Sequence, residues 1–297
     1  MHKFLRSIGF NKEMSRKQIK ELTDYCMKEA EIKNYANTNQ DNLVAECCKS
    51  FAPEIGICVR GELDEEDNIQ CDYYFPYLKG GEISTQEEIT IDQHAEKLSF
   101  AGICDEIRLG VSLIFYVQNM IPILKEKQRV KKSDIGKIPL TLTGLSLNGK
   151  ILMPLMKKPT EEKVAKKKVS ERNLLMTRAR RGDEEAIEKL TLDDMDTYSV
   201  VSQKILKEDL YSIVDTCFMP YGLESDQYAI IGEITACKTI INTYTNQQVV
   251  LMSINCNDLS FDICINRQDL LGEPEVGRRF KGTIWMQGFI NYENAPC

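Results

Sequence analysis

The sequence predicts an α+β protein in three parts: a mixed N-terminal domain with a mainly antiparallel sheet over residues 1–156, a basic linker and helical connector over 157–222, and a small five-stranded, OB-like β-barrel over 223–297. Three observations predict it. Apolar and polar residues alternate through 55–75 and again through the last 70 residues, and a period of two marks strands with unlike faces. Near the N-terminus the apolar residues instead fall on a helical stripe. Between the strand-rich regions, residues 125–181 hold 17 Lys and Arg against 5 Asp and Glu, in a chain of net charge −7. Such a run reads as solvated connector, and it meets either an anionic partner or the protein's own acidic surface.

The elements follow in order. Ser15 to Ile32 is an expected amphipathic helix, with Ile19, Leu22, Cys26, Met27 and Ala30 on one stripe, Ser15 as N-cap, and Asn34 or Asn37 near its stop. Ile55, Ile57 and Val59, then Ile69, Cys71, Tyr73 and Phe75, alternate with other residues across an acidic turn at 64–68, which predicts a hairpin. Val111 to Val117 is rich in β-branched and aromatic residues and reads as a central strand, followed by a short helix up to Gln128. Ile138 to Leu155 reads as a strand pair turning at Asn148-Gly149. After the charged segment Lys157–Val169, three helical pieces are expected. Ser170 and Asp183 cap the first two, Gly182 separates them, and Thr191 with Asp194 opens the third as a capping box.

The barrel strands are expected at Tyr228–Asn242, bending at Gly232, then at 249–254, 259–265 and from Arg278, with Gly288 turning into a fifth that ends near Tyr292. A short helix over Arg267–Leu271 falls after the third strand, as in the oligonucleotide/oligosaccharide-binding plan.

Composition narrows the chemistry. With 297 residues, 42% of them hydrophobic and 28% charged, the chain has the make-up of a globular protein with room for two domains. The most apolar stretch, Val111–Leu124, is too short to span a membrane and is interrupted by Gln118, Asn119 and Pro122. Met1–Arg6 lacks the apolar core of a signal peptide, so a cytoplasmic location is expected. Eleven cysteines without a Cys-x-x-Cys pair, beside two histidines, read as reduced thiols serving as small core residues, with no cofactor and no metal.

No phosphate-binding loop, dinucleotide fingerprint, nucleophile elbow or zinc-protease motif occurs, and no catalytic residue is assigned. His94 sits among polar neighbours and reads as a surface histidine; Asp193, Asp194 and Asp196 read as helix-terminal acids, and Cys104 as a core thiol. One cluster stands out. In the run from Arg279 to Gln287, Phe280, Gly282, Ile284 and Met286 occupy one face, leaving Arg279, Lys281, Thr283 and the chain's single tryptophan, Trp285, on the other. With Arg278 these make the candidate binding residues Arg278, Arg279, Lys281 and Trp285, since a ring among cations is how such barrels stack bases or sugars. The competing reading packs Trp285 against the preceding domain or a second subunit.

The opening Met1–Phe10, the segment DTCFMPYG from Asp215 to Gly222, and GEPEVGRRFKGTIWMQG from Gly272 to Gly288 resemble an uncharacterised family of unknown function from anaerobic, clostridial-type Firmicutes. The resemblance implies a bacterial cytosolic protein and no particular activity. The resulting expectation is a non-enzymatic binding or assembly module whose partner is another protein or a second copy of itself. The alternatives are single-stranded nucleic-acid binding through the barrel, and an enzyme of unrecognised type with its site in the N-terminal domain.

Overall fold

The computed structural model describes residues 2–37, 43–64, 69–93, 99–119, 121–122, 124–125, 134–155, 171–205, 214–223 and 225–291. After a short 3-10 helix (Lys3–Ile8), α1 spans Arg16–Lys28. Its start is set by a reciprocal cap. The Gln18 backbone N–H donates to the Ser15 hydroxyl at 3.2 Å, and the Gln18 side-chain oxygen accepts from Ser15 N at 2.8 Å. Leu22 and Cys26 are buried on the expected stripe. The helix stops earlier than the sequence predicts, because Asn34 and Asn37 already belong to strand β1.

Four antiparallel strands form the first sheet in the order β1 (Ile32–Asn37), β2 (Leu43–Ala52), β3 (Ile55–Leu63), β4 (Ile69–Leu78). The predicted hairpin is β3–β4, with Leu63 opposite Ile69; its turn at 65–68 lies outside the described residues. Neither β1 nor β2 was predicted. Val44, Ala45, Cys47 and Glu46 of β2 are all buried, so both of its faces are covered and no alternation survives in the sequence.

The remaining strands make one larger sheet: β5 (Glu88–Gln93), β6 (Phe100–Glu106), β7 (Val111–Val117), β8 (Asp134–Lys137), β9 (Leu140–Leu152), β10 (Cys217–Pro220), β11 (Gln227–Ile241), β12 (Gln248–Cys256), β13 (Leu259–Asn266), β14 (Leu270–Leu271) and β15 (Arg279–Ile290). Within it, β11-β12-β13-β9-β15 closes on itself through the β11–β15 pairing. Closure removes the free edges of these five strands. The strand at Val111–Val117 is central as predicted; β7 continues the sheet from β15 in parallel register, and β6, β5 and β8 follow it outward.

The α+β class, the antiparallel four-stranded sheet and the closed five-stranded barrel are thus present, but one barrel strand is not the expected one. The expected fourth strand and the start of the expected fifth form a single strand, β15, over Arg279–Ile290, and the fifth strand is β9, which precedes the connector and runs parallel to β13. The division of the chain into three parts puts β9 in the first; its pairing puts it in the barrel. Read from β11, the order is a three-stranded meander, a 3-10 turn (Arg267–Asp269), then β15 closing against β11. That is the OB plan with its last strand supplied from upstream.

Two glycines read as turns explain the error. A Cβ on Gly288 would lie 2.4 Å from the Phe115 ring, and one on Gly149 would lie 2.4 Å from the Phe280 ring. Both positions continue straight strands, and glycine is there so that a phenylalanine can lie flat on the backbone. The true irregularity of β9 is the unpaired Leu147, between Asn148 opposite Thr283 and Ser146 opposite Ile284. In β11 the bend comes at the bulged Thr235, three residues past Gly232.

Among the described residues the connector holds two helices where three starts are expected: α2 over residues 171–180 and α3 over Glu184–Ile205. Gly182 takes φ +86° between them, and Asp183 caps α3 by accepting from Ala186 N at 3.2 Å. The expected third start lies inside α3. There the Thr191 hydroxyl donates to the Ile187 carbonyl, and Asp194 pairs with Arg172 at 2.8 Å. Segment 157–169 and Ser170 lie outside the described residues.

Two cores result. One fills the barrel and continues under β5–β7, with Ile230, Val250, Met252, Ile263, Phe280, Ile284, Met286, Phe115 and Leu113. The other lies outside the barrel wall. Here Leu145, Val249, Leu251, Cys264 and Trp285 cluster with Phe4, Leu5 and Ile8 of the N-terminal segment and with Phe75 of the first sheet. The barrel wall is buried on both sides where the first sheet covers it.

Candidate functional site

The alternation in β15 was read correctly and its consequence was not. Phe280, Ile284 and Met286 point into the barrel and Trp285 points out, but outward here means into the second core. Trp285 is 4% exposed. Its ring stacks on Phe4 at 5.1 Å and meets His2 at 4.8 Å and Tyr116 at 5.1 Å, and its Nε1 donates to Asp226 at 2.7 Å. The indole is therefore a joint between barrel and N-terminal segment, the competing reading of the sequence.

Its expected cationic companions are dispersed. Arg279 is buried at the other end of β15 and donates to the Met153 and Val214 carbonyls. Arg278 pairs with Glu275 at 2.9 Å and donates to the Glu273 carbonyl. Lys281 is half-buried, opposite Ile231 of β11 and Lys150 of β9. The four residues do not form one open surface.

His2 is the titratable member of the indole joint. Burial, helped by the Lys3 charge and the N-terminal amine, pushes its pKa from 6.5 down to about 4. The folded protein thus holds a neutral imidazole that the unfolded chain protonates below pH 6.5. Stability from this group is full above pH 6.5 and is lost as pH falls towards 4, on the order of 2–3 kcal/mol. Chemical denaturation at pH 7 and at pH 4.5 should show that His2→Leu loses less stability on acidification than the parent protein; an equal loss in both would remove His2 from the account.

The structure instead draws ionisable and polar groups together on the inner face of the first sheet. Glu46, Cys48 and Ser50 of β2 lie opposite Arg60, Cys58 and Gly56 of β3, which lie opposite Tyr73, Phe75 and Tyr77 of β4. Arg60 is completely buried at the inner end of this face. It bonds Glu46 at 3.0 Å, the Tyr116 hydroxyl at 3.0 Å and the carbonyls of Val117 and Gln118 at 3.2 and 2.6 Å, and it lies over the Phe75 ring at 4.7 Å. A buried guanidinium is tolerable only when its charge and donors are met in this way.

Beyond Arg60 the same face opens into a cleft of about 860 Å3 between the first sheet and the ends of β7, β9 and β15. Phe51, Phe75, Tyr77 and Phe289 give it aromatic surface, while Asn34, Ser50, Asn119, Thr141 and Asn291 give it neutral hydrogen-bonding groups. Its charged lining is balanced: Glu46 is held by Arg60, Lys49 pairs with Glu31 at 2.7 Å, and Lys79 is at the mouth. A second groove of about 750 Å3 runs over the outer face of β11–β13 and shares Pro53, Lys79 and Gly80 with the first. The Gly81 backbone N–H bonds Asp262 at 2.8 Å and ties that strap to the barrel.

A family model described as a domain of unknown function with an E. rectale gene description (DUF3881) matches residues 5–288. The chain belongs to this family. The match agrees with the uncharacterised clostridial family that the opening, middle and closing motifs resemble. No curated protein and no solved structure matches the chain. The DUF3881 region runs from within the N-terminal 3-10 helix almost to the end of β15, so it takes in most of both cores and most of the cleft lining.

Other residues singled out in this DUF3881 sequence carry no chemistry in the structure. Cys104 is buried in the barrel-side core, and burial with the nearby Glu106 and Asp105 carboxylates pushes its thiol up to about 12, the reverse of what a thiolate nucleophile needs. Three further buried cysteines, Cys26, Cys256 and Cys264, are also pushed up to about 12 by burial. They are small core residues, as the composition suggests. Asp194 is paired with Arg172, and Asp193 and Asp196 are exposed along α3. His94 lies outside the described residues. In the described part of the basic segment, Arg172, Arg178 and Arg180 meet Asp194, Asp183 and Asp105 of the protein itself. Among the described residues no helix is long and apolar enough to cross a membrane.

Sequence reasoning missed Arg60 and the cleft. Arg60 occupies an ordinary alternate position in β3, and only the contact between two sheets distinguishes it from a surface arginine. One signal was available in β3, where Cys58 and Arg60 alternate with the apolar Ile57 and Val59.

Proposed function

We propose that this protein is a binding module and that its ligand site is the cleft between the first sheet and the barrel, in place of the Trp285 face. The observation that carries the reading is the lining of the 860 Å3 cleft, which combines aromatic surface with neutral amides and hydroxyls and has the charges of Glu46, Lys49 and Glu31 paired, with Lys79 at the mouth. Such a wall suits a small uncharged organic molecule with one apolar face and one hydrogen-bonding edge. The displaced ionisations also favour binding over acid–base chemistry. Burial raises Tyr77 and Cys58, and the Lys49–Glu31 contact raises Lys49 and lowers Glu31. All four move away from neutrality, whereas a general acid or base works best near the operating pH.

The test is a ligand-observed NMR screen of a neutral fragment library, run in parallel on the parent protein and on Ser50→Tyr, which fills the cleft floor. Hits that bind the parent protein and vanish with Ser50→Tyr support the reading. Hits indifferent to the substitution, or none at all, overturn it.

A further inference from the structure

Cys48 and Cys58 are direct cross-strand partners, and Glu46 lies two residues along β2 on the same face. The two thiols and the carboxylate have their ligating atoms within 4.8 Å of one another, and all three residues line the cleft. We infer that Glu46, Cys48 and Cys58 form a site for a thiophilic divalent cation of the zinc class, with the fourth coordination position facing the cleft.

Four physical points carry this. Two sulfur donors and one carboxylate select against magnesium and calcium, which take oxygen ligands, and suit zinc. Zinc sites need sulfurs at about 2.3 Å and carboxylate oxygens at about 2.0–2.2 Å from the ion, so three atoms already this close need only small side-chain rotations to converge. The ligands sit on two hydrogen-bonded strands in the middle of a sheet, which preorganises them. Charge also balances. The Arg60–Glu46 pair is neutral, and a divalent ion bound by two thiolates is neutral as well, so loading adds no net charge beside a buried guanidinium. Binding releases the two thiol protons to solvent. Arg60 is the positioning residue, because it holds the Glu46 carboxylate through Oε2.

The inference does not depend on whether the cleft takes an organic ligand, because fragment binding is read on metal-free protein. Its test is titration of the reduced, chelator-treated full chain with Co2+. The expected result is the visible spectrum of tetrahedral Co2+ with sulfur-to-metal charge transfer, saturating at one ion per chain and displaced by Zn2+. Cys48→Ser and Cys58→Ser should abolish it, Glu46→Gln should weaken it about 10- to 100-fold, and Cys237→Ser, at an exposed thiol that does not line the cleft, should leave it intact. The inference is overturned by the absence of charge transfer, or by a spectrum that survives both cleft substitutions. X-ray absorption of the zinc-loaded parent protein decides the matter without any variant: two sulfurs with lighter ligands support the site, and any other sulfur count sinks it.

Discussion

Replacing Arg60 with methionine should cost the folded protein about 3–5 kcal/mol, because it strands the Glu46 carboxylate in the interior. The guanidinium is wholly buried and supplies Glu46 with its counter-charge. It also ties β3 to the carbonyls of Val117 and Gln118 at the end of β7. Two consequences separate the charge from the tie. Adding Glu46→Leu to Arg60→Met should recover a large part of the loss, since a buried pair exchanged whole for apolar side chains is often neutral. What remains is the lost link between first sheet and β7, each unmade carbonyl costing about 1–3 kcal/mol. Urea unfolding followed by the emission of Trp285 measures all three proteins. Equal stability of Arg60→Met and the parent protein would mean that the pair is not sealed from water.

The second large effect is expected at Trp285. Truncation to alanine should destabilise by about 3–5 kcal/mol, the range for large aromatic groups removed from a packed core. The ring fills the space between Phe4, His2 and Tyr116, and the cavity cannot collapse easily between a closed barrel and a paired sheet. Asp226→Ala removes the acceptor of the indole N–H and should cost about 1–3 kcal/mol, the penalty of an unmet buried donor. Far-UV circular dichroism during thermal unfolding serves for both, as the alanine variant has lost its fluorophore. The parent protein's emission should be blue-shifted and resistant to iodide quenching. A quenchable, red-shifted tryptophan that can be truncated without loss would restore the open recognition face.

Both residues show where sequence reasoning stops. In β15 the period of two correctly separated Phe280, Ile284 and Met286 from Arg279, Lys281 and Trp285. The same pattern cannot say whether the outward face meets water or another sheet. A hint was present in β12, where the unbroken run Val249–Met252 is buried on both sides. Glycine misled in a second way. In the sequence Gly149 and Gly288 read as turns, whereas each makes room for a phenylalanine ring from a neighbouring strand. Nothing local to either glycine separates the two uses. The Ser15 cap, the Asp183 cap and the β3–β4 hairpin were legible because each is decided within a few residues of itself.

The amino-acid order alone determined the α+β class, the starts of α1 and α3, the inward-facing half of the barrel and the family to which the chain belongs. All of these follow from short-range periodicity, caps or motifs. Only the tertiary structure decided that β9 completes the barrel from upstream, that Trp285 is covered, and that Glu46, Cys48, Cys58 and Arg60 share one buried face beside a cleft. These outcomes depend on which surfaces meet across long sequence separations. That choice is made by burying apolar area over the whole chain, and no local window contains it.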